Sequence, residues 1–287
     1  MRNIKGAIFV NAYSKPSQSI TQAQNLQQEF IKKGIGIDII TDGFLLVRKN
    51  KIKEYSFGIF LDKDKYLSKQ LENLGLRLFN SHDAIRICDD KGETCIALEQ
   101  NGIKTPKTFF APVCYRKESP LNEDWLKEIE KELKYPIIIK GSFGSMGSSV
   151  YKAENYEELK EISEEQKLNP HIYQQMVGES GVDYRVICIG KQAVSCMKRV
   201  NKTDFRSNIA LGGVGEKIEL ERVPHLVEVA NTCAKVLNLD YCGVDLLVDE
   251  TGVYVCEVNS NAFFEESKRV TGVNIAKLYV EYILENI

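Results

Sequence analysis

The chain has 287 residues, of which 43% are hydrophobic and 27% charged, a composition that is ordinary for a globular protein. Its 38 basic and 40 acidic residues nearly cancel, so the charge balance does not favour a nucleic-acid-binding or membrane-surface protein. The apolar runs are too short to span a bilayer, and the run from Ala7 to Val10 is too short for a signal peptide. We therefore expect a cytoplasmic protein.

Eight cysteines are scattered along the chain without a CxxC pair. Cys188, Cys196 and Cys256 lie within apolar, strand-like runs. This pattern predicts small buried side chains in a reducing compartment, and it favours neither a disulfide framework nor a zinc site.

Residues 1–90 alternate between strand-like and helix-like segments. The predicted strands cover residues 4–10, 35–40, 58–61 and 76–79, and the predicted helices cover 17–33 and 65–74. Gly34 and Gly75 follow the two helices, and glycine readily adopts the left-handed conformation that ends a helix. The alternation predicts a first domain, residues 1–90, built on a parallel sheet with α/β organisation.

Residues 91–182 are predicted to form a second, smaller domain. Asp89-Asp90-Lys91 opens its first helix, which runs to Gln100. The other predicted strands cover 107–111, 137–140 and 172–177, with one resuming at 150, and the other helices cover 122–133 and 155–162. Residues 183–287 form a third domain in which hairpins dominate, at 183–200 and 243–259. Helices at 224–237 and 274–286 complete it, so the whole chain combines α/β and α+β organisation.

The hairpin at 243–259 is the most informative stretch. A three-residue loop, Glu250-Thr251-Gly252, is expected to close it, with Gly252 at positive φ and Asp249 opposite Val253. This register places Asp245 opposite Glu257, and Gly243 opposite Asn259.

Because side chains alternate along a strand, Asp245, Glu257 and Asn259 then share one face. The opposite face is expected to be apolar and to carry Val244, Leu246, Val248, Tyr254, Cys256 and Val258. Two carboxylates and an amide oxygen that lie this close suit Mg²⁺, which prefers hard oxygen ligands and shares them with substrate phosphates. A polar, solvated sheet face is the alternative.

A glycine- and serine-rich loop at 141–149 follows the strand that ends at Lys140. Gly144, Ser145 and Gly147 allow backbone N–H groups to turn toward an anion, and Lys140 is placed to meet a phosphate. The loop has neither the Walker A pattern nor the GxGxxG spacing, so by itself it is equally compatible with a flexible surface turn.

A second polar loop, Asp204-Phe205-Arg206-Ser207-Asn208, offers an arginine and two small donors for a phosphoryl group, although a solvated loop explains it equally well. Lys198 and Arg199 precede it. Asp183 and Arg185 share a strand face, and Asp183 is placed to accept hydrogen bonds from ribose hydroxyls. Acidic ligands, several cations and a glycine-rich flap together indicate phosphoryl transfer from a nucleotide.

The ordered set of motifs resembles the RimK-type ATP-grasp ligases, most clearly from Asn80 onward. The motifs are Asp89-Asp90-Lys91, Pro136 to Lys140 with its glycine loop, Asp183-x-Arg185, Asp204 to Asn208, Gly212-Gly213, Gly243-Val244-Asp245, Glu257-Val258-Asn259-Ser260 and Thr271 to Ala276. The resemblance implies a pre-ATP-grasp domain, a central lid domain and a C-terminal domain with the metal site. It also implies a ligase that adds glutamate or a related α-amino acid to a carboxylate through an acyl phosphate.

The resemblance further implies the role of each matching residue. ATP would be bound by Lys91, Lys140, Gly144, Ser145, Gly147, Gln175, Met176, Val177, Asp183, Arg206, Ser207 and Asn208. Asp245, Glu257 and Asn259 would hold Mg²⁺, with two ions expected and Mn²⁺ as a substitute. Arg206 and Arg199 would be catalytic, and Arg185, Lys198, Asn261 and Phe263 would contact substrate. An assembly of two or four copies is expected.

Two departures from the family pattern are visible. Gln175 stands where the family often has Glu, and Asn261-Ala262-Phe263-Phe264 replaces the usual Pro-Gly-Leu-Glu beside the acceptor pocket. The acceptor is therefore left open among small molecules, peptides and protein tails. A D-alanine–D-alanine-type ligase and a nucleotide-binding module without catalysis are the alternatives.

Overall fold

Three sheets form the framework of the computed structural model, which describes residues 4–13, 18–41, 49–144 and 147–287, with only the backbone described at 49–51. The sheets follow one another along the chain and fall within 1–90, 91–182 and 183–287, except that the third sheet begins one residue earlier, at Val182. That these ranges are separate domains stays a prediction. Across the described ranges, no helix is long and apolar enough to cross a bilayer.

The first sheet is parallel, as predicted, and contains four strands in the order β2-β1-β3-β4. Its strands are β1 (Lys5–Val10), β2 (Gly36–Thr41), β3 (Phe57–Leu61) and β4 (Arg77–Phe79), and its helices are α1 (Gln18–Lys32) and α2 (Lys65–Asn73). Successive residues of β1 face opposite sides, so Ile8 packs with the α1 side and Phe9 with the α2 side. A short 3₁₀ helix, Lys49–Glu54, precedes β3 and was not predicted.

The second sheet is antiparallel, with strand order β5-β8-β6-β7. Its strands are β5 (Thr108–Phe110), β6 (Ile137–Gly141), β7 (Val150–Ala153) and β8 (His171–Gln175). The helices of this region are α4 (Lys91–Gln100), α5 (Glu123–Leu133) and α6 (Tyr156–Gln166), and α3 (His82–Asp89) precedes them at the end of the first ninety residues. Ser81, Asp90 and Asn155 cap α3, α4 and α6.

The third sheet is also antiparallel, with strand order β11-β10-β9-β12-β13. Its strands are β9 (Val182–Ile189), β10 (Gln192–Val200), β11 (Val214–Ile218), β12 (Tyr241–Asp249) and β13 (Gly252–Asn259). The helices are α7 (Pro224–Val236), α8 (Glu265–Thr271) and α9 (Ile275–Glu285). Sequence analysis missed β11 and α8, because β11 is a half-exposed edge strand without apolar alternation and α8 is short and polar.

The two faces of the third sheet pack against different partners. Val186, Val244 and Val258 face a core that includes α7. Ile187 and Tyr241 face the other way, into the core of the first sheet with α1 and α9. The third sheet therefore packs directly on the first. Only the part of the third sheet outside this contact can form a site with the second sheet.

Asn80, at the end of β4, joins the first and third sheets through four hydrogen bonds. Its Nδ2 donates to the carbonyl oxygens of Tyr241 (2.7 Å) and Ser260 (2.8 Å). Its Oδ1 accepts from the backbone N–H of Asp240 (2.6 Å) and Tyr241 (3.0 Å). The side chain is 2% exposed, so all of its hydrogen-bonding capacity is used away from water.

We predict that Asn80→Ala lowers the free energy of unfolding by about 3 kcal/mol or more, because several buried backbone groups lose their partners together. Urea denaturation measures this loss. Asn101→Ala is the control, since the Asn101 amide makes an exposed hydrogen bond to its own helix and should cost less than about 1 kcal/mol. Equal losses in the two variants would contradict the role of Asn80.

Candidate active site

The hairpin of β12 and β13 has the predicted register at its charged end. Asp245 is paired with Glu257, and Gly243 with Asn259. The turn end differs from the prediction, because Asp249 pairs with Gly252 and the loop has two residues instead of three. The Asp249 carboxylate accepts hydrogen bonds from the N–H groups of Thr251 (2.7 Å) and Gly252 (3.2 Å), which tightens the turn. Gly252 has φ +136°, so its predicted positive φ is confirmed.

A β-bulge absorbs the difference between the two ends of the hairpin. The partner jumps from Glu257 opposite Asp245 to Val255 opposite Leu246, which leaves Cys256 as the extra residue. The predicted apolar face is therefore wrong at Tyr254 and Cys256, whereas Val258 faces the core as predicted. Val255 faces the core in place of Cys256, and both Cys256 and Glu257 face a cleft.

The cleft lies between the second and third sheets and has a volume of about 960 Å³, including the part open to solvent. It brings together most of the predicted site residues: Lys91, Lys140, Gly144, Gly147, Gln175, Met176, Val177, Asp183, Arg199, Arg206, Ser207, Asn208, Asp245 and Glu257. Ser145 lies outside the described residues. The lining of the cleft does not include Asn259, Arg185, Lys198, Asn261 or Phe263.

A chain of four charged residues runs from the floor of this cleft to a point behind it, and Arg185, at its far end, is less buried than the other three. Arg199 donates from Nε to Asp183 (2.7 Å) and also pairs through Nη2 with Asp183. The same Nη2 lies 3.0 Å from Asp245 Oδ2. Arg185 completes the chain by donating to Asp245 from Nε and Nη2, at 2.7 Å each. Two carboxylates and two guanidinium groups alternate, so the chain is electrically neutral.

The ion pairs within this chain determine the protonation of Asp245 and Arg199. Burial opposes ionisation of Asp245, but Arg185 and Arg199 outweigh it and lower the pKa of the carboxyl to about 2. For Arg199, burial lowers the pKa while Asp245 and Asp183 raise it, and the net result is a pKa above its usual value. Asp245 and Arg199 therefore stay charged over the physiological pH range.

Two lysines reach the cleft from different elements. Lys91 begins α4, and its ammonium donates to the carbonyl oxygen of Gly144 (3.2 Å) and lies 3.4 Å from Glu257 Oε1. Lys140, on β6, is 8% exposed, and its ammonium contacts Cys256 Sγ at 3.5 Å. In the part of the chain that the structure describes, Lys140 forms no salt bridge. A buried cation without an anion is suited to bind one.

The glycine loop and the loop at 204–208 hold each other. Arg206 donates to both carboxylate oxygens of Asp204, at 3.0 and 2.7 Å, and to the carbonyl oxygen of Gly147 at 2.9 Å. Gly147 has φ +75°, and a Cβ there would lie 3.2 Å from Asn208 Oδ1. Both the conformation and the close approach favour glycine, so the two loops form one rim of the cleft.

The predicted metal ligands fit Mg²⁺ by their donor chemistry. Asp245 and Glu257 offer carboxylate oxygens from directly paired positions, and Asn259 is two residues further on the same strand. Within the described part of the chain, the buried Nδ2 atom of Asn259 has no hydrogen-bond partner, so it does not fix the orientation of the amide. Among the described residues, no three His, Cys, Asp or Glu side chains form a metal-binding group, so an amide oxygen would have to complete the set.

The residues predicted to contact substrate lie at different places outside the lining of the cleft. Lys198 is on the opposite sheet face from Arg199, with its ammonium 6.0 Å from the Tyr184 ring centroid, away from the cleft. Arg185 is bound to Asp245. Asn261 accepts a hydrogen bond from Gln22 Nε2 at 3.2 Å.

Gln22 of α1 holds the loop at 261–264 through two hydrogen bonds that sequence analysis missed. It is 1% exposed, and its Oε1 accepts from the backbone N–H of Phe264 at 3.3 Å while its Nε2 holds Asn261. The signal was a polar residue on the buried side of a predicted helix, where an apolar residue is the usual choice. Helix α1, which packs on the first sheet, thus holds the loop at 261–264, which contains Phe263.

Comparison with known proteins decides the family. A model of the RimK-like ATP-grasp domain matches residues 88–283. The chain belongs to the RimK-like ATP-grasp family. It is 29% identical to the coenzyme γ-F420-2:α-L-glutamate ligase of Methanocaldococcus jannaschii, over 91% of this chain and 92% of that protein. It is 32% identical to human N-acetylaspartylglutamate synthase A over 78% of this chain, and this match covers 56% of the human protein.

The fold is that of the ATP-grasp enzymes, as predicted. The D-alanine–D-alanine ligase of Bacillus anthracis superposes with a TM-score of 0.78 over 98% of this chain and 96% of that one, at 20% sequence identity. The RimK-like chain is accordingly an ATP-grasp ligase that forms carbon–nitrogen bonds, and its family uses ATP, generally with Mg²⁺.

We predict that Lys140→Met weakens ATP binding at least about tenfold, which corresponds to ~1.4 kcal/mol, because it removes a cation aimed into the cleft. The same change should leave the free energy of unfolding equal or higher, since a buried charge without an anion is replaced by an apolar side chain. A fluorescent ATP analogue and urea denaturation measure the two effects. Lys217→Met, on the exposed edge strand, should change neither quantity by a comparable amount. Unchanged ATP affinity in Lys140→Met would contradict the assignment.

Proposed function

We propose that this enzyme joins a carboxylate to the amino group of an α-amino acid, with ATP consumed through an acyl phosphate. Glutamate is the amino acid that we favour, since two relatives contain it in their names. The observation that supports the proposal is the convergence of Lys91, Lys140 and Arg206 with the paired carboxylates Asp245 and Glu257 in one cleft. Cations and a metal-ligand set at one place suit phosphoryl transfer.

The nucleotide would lie along the cleft. Gln175, with the backbone of Met176 and Val177, would contact adenine, and Asp183 would contact ribose. Lys91, Lys140, Arg206, Ser207 and Asn208 would surround the phosphates, under the glycine loop with Gly144, Ser145 and Gly147. Gln175 can offer either its amide oxygen or its amide N–H groups to the base, whereas a carboxylate only accepts.

Asp245, Glu257 and Asn259 would hold Mg²⁺, with two ions in place and Mn²⁺ able to substitute. When bound, Mg²⁺ would supply positive charge that offsets the negative charge of the phosphates. Protein side chains lie beside both carboxylate ligands: Arg199 contacts Asp245, and Lys91 lies beside Glu257.

The reaction would proceed in two steps. A substrate carboxylate oxygen attacks the γ-phosphorus, the bond to the β,γ-bridging oxygen breaks, and ADP leaves. The amine then attacks the acyl carbon, a proton is lost from nitrogen, and phosphate departs. Arg199 and Arg206 would stabilise the negative charge on the transferred group, and the rim formed by the two loops would keep water from the acyl phosphate.

Acceptor choice is assigned to the region around Arg185 and the loop with Asn261 and Phe263. A small molecule, a peptide and a protein tail are all compatible acceptors. We also propose a cytoplasmic homodimer or homotetramer, as the family resemblance implies. The D-alanine–D-alanine ligase alternative has the same fold, but 20% identity supports the fold alone.

We predict that Glu257→Gln lowers amino-acid-dependent ADP release by about a hundredfold or more, because a neutral amide is a poorer metal ligand at a phosphoryl-transfer site. ADP release is measured by a coupled assay, with circular dichroism to check folding. Glu250→Gln, in the turn of the same hairpin, is the matched control and should keep full activity. Full turnover by Glu257→Gln would contradict the proposal that Glu257 is a metal ligand.

The substrate is identified by an ADP-release screen of amino acids against small carboxylates and peptides. ADP release with glutamate and a carboxylate supports the proposal. Release with D-alanine alone would support the dipeptide-ligase alternative. Tight ATP binding without ADP release under any pair would support a non-catalytic nucleotide-binding module.

A further inference from the structure

Arg185 differs from the other cations near the cleft. Lys91, Lys140, Arg199 and Arg206 line the cleft, whereas Arg185 lies behind it and is bound to Asp245. Its guanidinium is near the loop that Gln22 fixes. A Cβ placed on Gly243 would lie 3.8 Å from Arg185 Nε and 2.6 Å from the Cβ of Ala262.

The hydrogen-bonding capacity of Asp245 is nearly filled by arginines. Its carboxylate accepts two bonds from Arg185 and one contact from Arg199. An ionised carboxylate has about four acceptor positions, so about one stays free for any other cation. A divalent ion that binds Asp245 must therefore share the carboxylate with two guanidinium groups or displace one of them.

The two arginines are not equally easy to displace. Arg199 is also held by Asp183, and its side chain is 3% exposed. Arg185 is 16% exposed, and in the described ranges it pairs with no carboxylate other than Asp245. Arg185 also has the side-chain-free position of Gly243 beside its Nε atom. Arg185 is therefore easier to displace from Asp245 than Arg199 is.

We propose that Arg185 competes with the divalent cation for Asp245 and thereby sets the metal affinity of the nucleotide site. This inference rests on the proposed role of Asp245 as a metal ligand. Arg185 acts through Asp245, so it is a positioning residue rather than a catalytic one. The opposite possibility is that Arg185 only holds Asp245 in the geometry that the metal needs.

The two possibilities predict opposite changes in metal affinity. We expect Arg185→Ala to bind Mn²⁺ about tenfold more tightly than the unchanged protein, because a competing cation has been removed. Arg185→Lys, which keeps the charge but loses the two-point contact, should lie between them. The measurement is the electron paramagnetic resonance signal of free Mn²⁺ in a titration without nucleotide, so turnover is not involved.

Controls separate this inference from general charge effects and from the proposed function. Arg269→Ala removes an exposed arginine that pairs with Glu266 and should leave Mn²⁺ affinity unchanged. Glu257→Gln should weaken Mn²⁺ binding; if it does not, the proposed metal site itself is wrong. If Glu257→Gln weakens binding but Arg185→Ala binds Mn²⁺ equally or more weakly, the competition by Arg185 is overturned.

A measurement on the unchanged protein covers the case in which Arg185→Ala does not fold. The Nε–H resonance of Arg185 can be assigned in a nitrogen–hydrogen correlation spectrum as the arginine signal absent from Arg185→Lys. Addition of Mg²⁺ should shift this signal as the guanidinium leaves Asp245. A signal that stays in place at saturating Mg²⁺ would overturn the proposal.

Discussion

The alternating charges of Asp183, Arg199, Asp245 and Arg185 are the constraint on which the rest of the site depends. A lone buried carboxylate would be costly to ionise, and a lone buried guanidinium costly to desolvate. Side by side on three neighbouring strands, each compensates for the other. The sheet can therefore carry full charges at its centre without a bound ligand of either sign.

This network lies between two regions of the same sheet face with different functions. On one side of it, Ile187 and Tyr241 pack into the apolar core of the first sheet. On the other side, Leu247 lines the cleft beside Met176 and Val177. Along one sheet face, an apolar contact with the first sheet is followed by the four charged residues and then by the cleft. The apolar contact holds the charged residues rigidly in place.

The sequence was sufficient for the parts that depend on ordered motifs and local periodicity. The parallel sheet of the first ninety residues, the 183–200 hairpin and the pairing of Asp245 with Glu257 were all predicted correctly. The turn of the second hairpin was predicted wrongly, because the side chain of Asp249 favours a shorter loop and a bulge at Cys256 restores the register. The alternation of Val253 and Val255 was the available signal for that bulge.

Long-range polar contacts were beyond the reach of periodicity. Asn80 and Tyr241 are separated by 161 positions, and Gln22 and Asn261 by 239, so no local pattern relates them. The ion pair of Arg185 with Asp245 was hidden for another reason. The two residues lie 60 positions apart in different hairpins, and the pairing of β9 with β12 that sets Asp245 opposite Arg185 is not visible in either hairpin alone.

The contact of Gln22 with the loop at 261–264 has a consequence for how such enzymes diversify. The family match begins at residue 88, so Gln22 belongs to the part of the chain that lies outside it. The region that matches the family is thus supported, at the loop proposed to contact the acceptor, by a helix from another region. If relatives exchanged their N-terminal regions, the helix that supports this loop would be exchanged as well. Changes in the acceptor could then arise by recombination, without any substitution in the residues that handle ATP.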